Sequence, residues 1–310
     1  MNELIPIITI IATIIFAVTS IYGKIIIKDV QSSYIFFLMQ IILFIPVLTV
    51  VNVILQPDLT YLTSWEDMNK IILASVLAFA GYVALYKGFE VGNVSVGGVM
   101  LSSRVLLSIP LAIFIGEIYP FFIYVFIFIS FLGAILVSWK KDLSVKAFFH
   151  LRSSGLNYFL VTLVSWGISN TLIRELNNHF NPLLFLYLRM IIFAIIAILT
   201  YPLLNNSLSN GMSIRFTKKN TYQVLLYIFI ILTAQIMYVY ALGESLTIAE
   251  GLGVLEGMFT FVMAIALSKI KYFKNYLEEP LDKLTLLIRT FGVLVTTIGT
   301  IGVLVILQTL

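Results

Sequence analysis

The chain has 310 residues, of which 60% are hydrophobic and 11% are charged. Soluble domains are roughly 45–50% apolar and about 25% charged, so this chain has more apolar surface than a soluble core could hide. The composition excludes a soluble enzyme, a disordered chain and a nucleic-acid-binding protein, and it indicates a polytopic membrane protein. The net charge of +4 does not favour nucleic acid, because the basic residues are divided among short loops and form no continuous patch.

Cofactor and catalytic motifs are missing from the sequence. The chain has no cysteine, which excludes disulfides, cysteine zinc sites and iron–sulfur clusters. His150 and His179 lie between apolar segments and predict no metal site. There is no GxxxxGK[ST] phosphate loop, no HExxH motif and no GxSxG motif. We therefore expect no cofactor, no metal, no enzymatic activity and no direct use of ATP.

Ten apolar segments are each long enough to cross a bilayer, which takes roughly 20 residues as a helix. Lipid offers no partner for backbone groups, so a span must be a helix or part of a closed barrel, and these segments lack the alternation of barrel strands. The predicted fold class is all-α, with ten transmembrane helices. The predicted spans are 4–23, 33–55, 70–89, 94–115, 119–139, 156–175, 183–204, 222–242, 248–269 and 284–308.

Basic residues are concentrated in the loops that follow the odd-numbered spans. The termini and the other loops hold only Lys70 and Arg174. Because loops rich in Lys and Arg stay in the cytoplasm, this bias predicts that both termini lie outside.

The chain divides into two similar halves at an offset of about 150 residues. The predicted domains are a first five-helix repeat at 1–140, a basic connecting loop at 141–155 and a second five-helix repeat at 156–310. An odd number of spans per repeat inverts the second repeat, an arrangement typical of secondary transporters whose site lies between the repeats. The matching pairs are Phe16 with Trp166, Ser20 with Asn170, Lys24 with Arg174, Gln40 with Arg189, Tyr82 with Tyr238 and Gly97 with Gly253.

Short motifs are distributed over both halves. They are Gly81 to Tyr86, Gly116-Glu117, Trp166-Gly167, Asn170, Arg174, Asn181-Pro182, Arg189, Gly292, Gly299 and Gly302. With these motifs the chain resembles the EamA-type transporters of the drug/metabolite transporter superfamily. The resemblance implies two five-helix repeats and, most often, proton-coupled export of metabolites or drugs. The chain departs from the family at Phe16 and Gln40, where the family often has Trp and Arg, and the family is usually drawn with its termini inside.

Two charged residues lie near the middle of spans that are repeat counterparts, Arg104 in the fourth and Glu256 in the ninth. A charge at a helix centre costs roughly 2.5–3.5 kcal/mol on insertion scales, so such residues are candidates for function. We expect Glu256 to take protons or hold a cationic group, and Arg104 to hold a carboxylate or to steady Glu256. Alternatively, the two form a structural ion pair that never meets substrate. Glu250 is a second candidate for proton coupling.

Further polar and aromatic residues complete the predicted cavity. Tyr82 and Tyr238 are deep enough to hold a cation over their rings or to stack on a planar substrate, although an interfacial position is the alternative. We expect Glu117, near the outer surface, to be solvated. The predicted substrate-binding residues are Arg104, Glu256, Tyr82, Tyr238, Gln40, Arg189, Trp166, Asn170 and Gln235, and the predicted proton-coupling residues are Glu256 and Glu250.

The predicted function is secondary active transport of small organic metabolites or drugs, such as amino acids or organic cations. We expect export across the plasma membrane by alternating access, coupled to protons or to exchange. The expected partners are a small-molecule substrate and the lipid bilayer, with a homodimer as an open alternative to a monomer. Two rivals remain, a non-transporting receptor or scaffold and an intramembrane enzyme that modifies lipid.

Overall fold

The computed structural model describes residues 4–30, 32–57, 64–91, 101–137, 139, 156–176, 181–208, 218–270 and 282–309. The connecting loop at 141–155 and both histidines lie outside this described part, as does Gly97. Regular secondary structure in the described part is helical throughout. The helices are α1 (Leu4–Val30), α2 (Ser33–Leu55), α3 (Trp65–Val91), α4 (Val105–Phe114), α5 (Phe121–Val137), α6 (Leu156–Arg174), α7 (Pro182–Leu208), α8 (Lys218–Glu244), α9 (Leu246–Gly253), α10 (Leu255–Ser268) and α11 (Lys283–Gln308).

Seven helical stretches in the described part are long and apolar enough to cross a membrane. They are α1, α2, α3, α7, α8, α11 and the stretch formed by α9 with α10, while α4 and α5 are apolar but shorter. Together they make the chain a multi-pass membrane protein. Several helices run past the predicted spans, and α1 continues to Val30 because its last turns carry Lys24 and Lys28, whose long side chains can extend to the interface.

Polar side chains define where helices begin. Ser32 accepts a hydrogen bond from the backbone of α2, and Ser245 and Asp282 do the same for α9 and α11. Asn181 accepts from the backbone N–H groups of α7, in which Pro182 is the first residue. These are the usual ways to satisfy the free N–H groups at a helix start, and they explain the Asn181-Pro182 motif.

Two of the predicted spans are interrupted near their middle. In the fourth, residues 101–102 are helical, a turn follows at Ser103 and Arg104, and α4 then begins. In the ninth, a turn at Val254 separates α9 from α10. The hydroxyl of Ser102 donates a hydrogen bond of 3.1 Å to the carbonyl of Val254. The two interruptions therefore meet inside the protein.

Small residues allow the closest helix contacts. A side chain at Gly133 or Gly299 would overlap the backbone of the facing helix, so α5 and α11 pack with their backbones nearly in contact. Gly81 on α3 lies against the indole of Trp166 on α6, where a Cβ atom would also overlap. Such small residues are typical of helix interfaces in membranes. The outer faces of α5 and α11 carry exposed apolar side chains suited to lipid, among them Phe128, Leu132, Phe291, Leu294, Ile298 and Ile301.

Candidate functional site

A cavity of about 70 Å³ lies among the central turns of the helices. One water molecule needs about 10–15 Å³ on the same measure, so the cavity is large enough for a small polar group. Its wall contains most of the residues predicted for substrate binding. These are Arg104, Glu256, Tyr82, Tyr238, Arg189, Trp166, Asn170 and Gln235. The remaining residue, Gln40, lines a smaller neighbouring pocket that shares Tyr82 and Gln235 with the cavity.

Arg104 is held by an opposite charge from another helix. Its Nε donates to Glu250 Oε2 over 2.7 Å, and its Nη2 donates to the hydroxyl of Tyr238 over 2.9 Å. The second oxygen of Glu250 accepts from Asn170 Nδ2 over 2.6 Å. The expected pairing of Arg104 with Glu256 is thus replaced by pairing with Glu250, because the turn at Ser103 and Arg104 lies beside α9.

Glu256 has a different environment. Its side chain is buried on α10, where the residue is 7% exposed. Within the described part of the chain, its carboxylate accepts one hydrogen bond of 3.1 Å, from the hydroxyl of Ser20 on α1. Glu250 and Glu256 therefore contact different helices, as their spacing in the sequence implies. Of the two carboxylates, that of Glu256 is the one with spare hydrogen-bonding capacity towards the cavity.

Arg189 enters the cavity from α7 and differs from Arg104. The residue is 6% exposed, and its guanidinium lies 4.4 Å from the ring centre of Phe185. Its Nε and Nη2 atoms are buried and have no hydrogen-bond partner among the described residues. A buried charge without an opposite partner is costly, and the described residues supply no acceptor for these two atoms.

Aromatic side chains form the opposite part of the wall. The ring of Tyr82 meets that of Trp166 edge to face, with 4.9 Å between centroids and an angle of 63° between the ring planes, a favourable geometry for aromatic pairs. Gln235 donates to the hydroxyl of Tyr82 over 2.8 Å. The Nε1 of Trp166 and the Oε1 of Gln235 are both buried without a hydrogen-bond partner in the part of the chain described. This wall therefore contains one donor and one acceptor that the described residues leave unsatisfied.

Two tyrosines of the cavity were not predicted as binding residues. The hydroxyl of Tyr86 donates to Gln40 over 2.9 Å and lies 3.3 Å from the hydroxyl of Tyr227, and both tyrosines line the cavity. Tyr227 lies eight residues before Gln235, on the same face of α8 as Tyr238. That helical spacing was the signal in the sequence that would have found it.

Glu117 forms a buried cluster at one end of the molecule. Its carboxylate accepts hydrogen bonds from Arg174 at 3.1 Å, from Ser245 at 2.5 Å, and from the backbone of Leu246 and Thr247 at 3.0 and 2.9 Å. The expectation that Glu117 is solvated is therefore wrong. The cause is the start of α9, whose free N–H groups and positive dipole end attract a carboxylate. These five residues are named the Glu117 cluster below.

The opposite end of the molecule has its own polar contacts. Asp29, at the end of α1, accepts from Lys219 at 2.9 Å and from Gln223 at 3.1 Å, both on the first turns of α8. Glu90, near the end of α3, accepts from the backbone N–H of Ser33 at 2.9 Å. Helix ends are thus joined by charged groups on both sides of the cavity.

Metal ligands are not grouped in the parts of the chain that the structure describes. No set of three or more His, Cys, Asp or Glu side chains there is arranged as a metal site would require. The buried carboxylates of Glu250 and Glu256 instead accept hydrogen bonds from arginine, hydroxyl and amide groups.

These features define the protein as a multi-pass helical membrane protein with a polar cavity among its helices. The model of the EamA-like transporter family matches residues 4–139, so this part of the chain is similar to that family. The resemblance found in the sequence motifs is thereby confirmed. No curated protein matches the chain.

Proposed function

We propose that this protein is a secondary transporter that moves small organic solutes through the central cavity by alternating access. The observation that carries the proposal is the convergence of Arg104, Arg189 and Glu256 at one cavity among apolar helices, where Arg104 is paired with Glu250. Charged side chains inside a membrane protein are costly and mark solute or ion pathways. The match of the first half to a transporter family points the same way.

The architecture that we propose consists of ten spans in two inverted five-helix repeats. The helix contacts support it, because they come in pairs that exchange the two halves. The contact of α3 with α6 has its counterpart in the contact of α8 with α1. The contact of α3 with α7 has its counterpart in the contact of α8 with α2. The interrupted fourth and ninth spans meet through Ser102 and Val254, as counterparts on a twofold axis would. Broken helices at a repeat interface are typical of transporter binding sites.

Alternating access requires that the two ends of the cavity close in turn. The Glu117 cluster joins the ends of α6 and α8 to the start of α9, while Asp29 joins α1 to α8 at the other end. We infer that each set of contacts breaks when its end opens. Exchange of protons at Glu256, or exchange of one solute for another, would drive export across the plasma membrane.

The first experiment tests whether the cavity binds a solute. Purified protein in detergent is heated with amino acids, nucleosides, sugars and quaternary amines, since a ligand of the folded state raises its apparent stability. A stabilising solute is then followed across the membrane of proteoliposomes. We expect flux that disappears in Glu256→Gln while the variant remains folded.

The result also separates the transporter from its rivals. Absence of any stabilising solute, together with absence of flux in folded wild-type protein, would contradict transport and favour a receptor or scaffold. Conversion of a lipid by the same preparation would favour an intramembrane enzyme. Flux that is unchanged in Glu256→Gln at every pH would remove that residue from the mechanism and leave transport standing.

A further inference from the structure

We propose that Arg189, and not Arg104, binds the carboxylate of the transported solute, and that the solute is a zwitterion whose ammonium group lies at Glu256. The inference rests on the proposed function and assigns the substrate class and the binding residue of that cavity. It corrects the role that the sequence suggested for Arg104.

The edge of the guanidinium formed by Nε and Nη2 determines which of the two arginines can bind a carboxylate. These two atoms carry N–H bonds that point the same way, and together they bind both oxygens of a carboxylate. In Arg104 the edge is occupied, since Nε donates to Glu250 and Nη2 to Tyr238. Arg104 therefore has a structural role, and its Nε–Nη2 edge is not available to a solute.

In Arg189 the same edge has no such partners. Its Nε and Nη2 atoms are both buried without a partner among the described residues, and the residue lines the cavity. The ring of Phe185 lies 4.4 Å from the guanidinium centre, which limits where the group can turn. A planar carboxylate is the acceptor that fits such an edge.

The uncompensated charges at the cavity indicate which charged groups the solute carries. Arg104 and Glu250 compensate each other in an ion pair of 2.7 Å. Within the described ranges, this leaves Arg189 without an ion-pair partner and Glu256 with a hydroxyl as its hydrogen-bond partner. A solute with one anionic and one cationic group would compensate both, and Gln235 Oε1 is a free acceptor for the ammonium group. A purely cationic solute would leave Arg189 buried and unpaired.

The test compares solutes that differ in one charge. Leucine is measured beside leucinamide, 3-methylbutylamine and 4-methylpentanoate by thermal stabilisation and by competition for flux in proteoliposomes. The same series is built on serine, glutamate and phenylalanine so that the side chain does not decide the outcome. We expect the zwitterion to bind about 10- to 100-fold more tightly than the amide or the amine, since bonds to charged groups contribute that much.

Three variants assign the effect to a residue. Arg189→Gln removes the preference for the carboxylate, Arg189→Lys keeps the charge but loses most of the preference, and Glu256→Gln removes the preference for the ammonium group. Arg104→Gln is the matched control. Without any solute, we expect Arg189→Gln to melt at or above the temperature of the wild type, because it removes an uncompensated buried charge. Arg104→Gln melts lower, because it leaves Glu250 unpaired.

Several results would overturn the inference. They include equal binding of the amine and the amino acid, preference for phosphorylated solutes over carboxylates, and a carboxylate preference that survives in Arg189→Gln. Loss of stability in solute-free Arg189→Gln equal to that in Arg104→Gln would show a structural role for Arg189. If nucleosides, sugars or quaternary amines are transported without any carboxylate requirement, this inference fails while the proposed function stands. If folded wild-type protein transports nothing, both fail.

Discussion

Arg104 and Arg189 show how neighbouring groups give the same residue type different roles. Each is buried at the same cavity, but Arg104 has a carboxylate and a hydroxyl on its Nε–Nη2 edge, while this edge of Arg189 has no such partners. Glu250 in turn has Arg104 and Asn170 on its two oxygens. A fully paired buried group stabilises one arrangement of helices, whereas an unpaired one costs free energy.

Loss of the Glu250 carboxylate and loss of the Glu256 carboxylate should have different effects on the melting temperature. Glu250→Gln leaves the charge of Arg104 uncompensated, and removal of one partner of a buried pair costs about 3–5 kcal/mol. We expect a clearly lower melting temperature in detergent. Glu256→Gln is the control, since it alters a carboxylate whose protein partner is the hydroxyl of Ser20, and its melting temperature should change little. Equal melting temperatures for the two variants would contradict this assignment.

Among the helices, α9 is the one whose start is held by side chains of several other elements. Ser245, the residue directly before α9, is its N-cap. Glu117 reaches the backbone N–H groups of Leu246 and Thr247 from the connection between α4 and α5, and Arg174 of α6 holds Glu117. The start of this short helix is therefore a joint between the two halves of the chain.

Removal of the Glu117 carboxylate should loosen that joint. Loss of a capping group costs about 0.5–2 kcal/mol, and Arg174 loses its ion pair as well, so we expect Glu117→Ala to lower the melting temperature. Glu244→Ala is a matched control at the same end, because Glu244 is exposed. Cysteines placed near the start of α9 should also react faster with a water-soluble maleimide in Glu117→Ala. A variant as stable and as unreactive as Glu244→Ala would show that the cluster contributes nothing.

Across the whole molecule, paired helix contacts surround the cavity and charged contacts join the helix ends on both sides of it. α5 and α11 pack against each other through glycines, whereas α1, α3, α6 and α8 surround the cavity. The proposed movement opens one end while it closes the other. The helices around the cavity, and not the tightly packed α5–α11 pair, are the ones that we expect to move.

Cross-linking tests this movement directly, because the chain has no cysteine of its own. Cysteines at Asp29 and Lys219, whose side chains meet at 2.9 Å, can be joined by a short cleavable reagent. We expect flux to stop on cross-linking and to return after cleavage, because α1 and α8 cannot then separate. Each single-cysteine variant is the control. Full flux in completely cross-linked protein would contradict opening at this end.

The membrane class, the position of most helices and the family could be inferred from the amino-acid sequence. Long apolar segments must become helices wherever lipid leaves the backbone no other partner, so composition and length suffice for that part. The polar candidates were found for the same reason, since a charge such as Arg104 within an apolar segment is too costly to lie there without a role.

Pairing, in contrast, depends on which helices become neighbours. The spacing along the chain placed Arg104 and Glu256 at similar depth, but it held no information on the turn at Val254 or on the approach of α9 to Arg104. Glu117 looked exposed because its burial comes from α9, whose start is more than a hundred residues away in the chain. Hydrogen bonds and ion pairs form only between groups within about 3–4 Å. Packing over the whole chain sets such distances, which is why the free edge of Arg189 could be recognised only in the folded molecule.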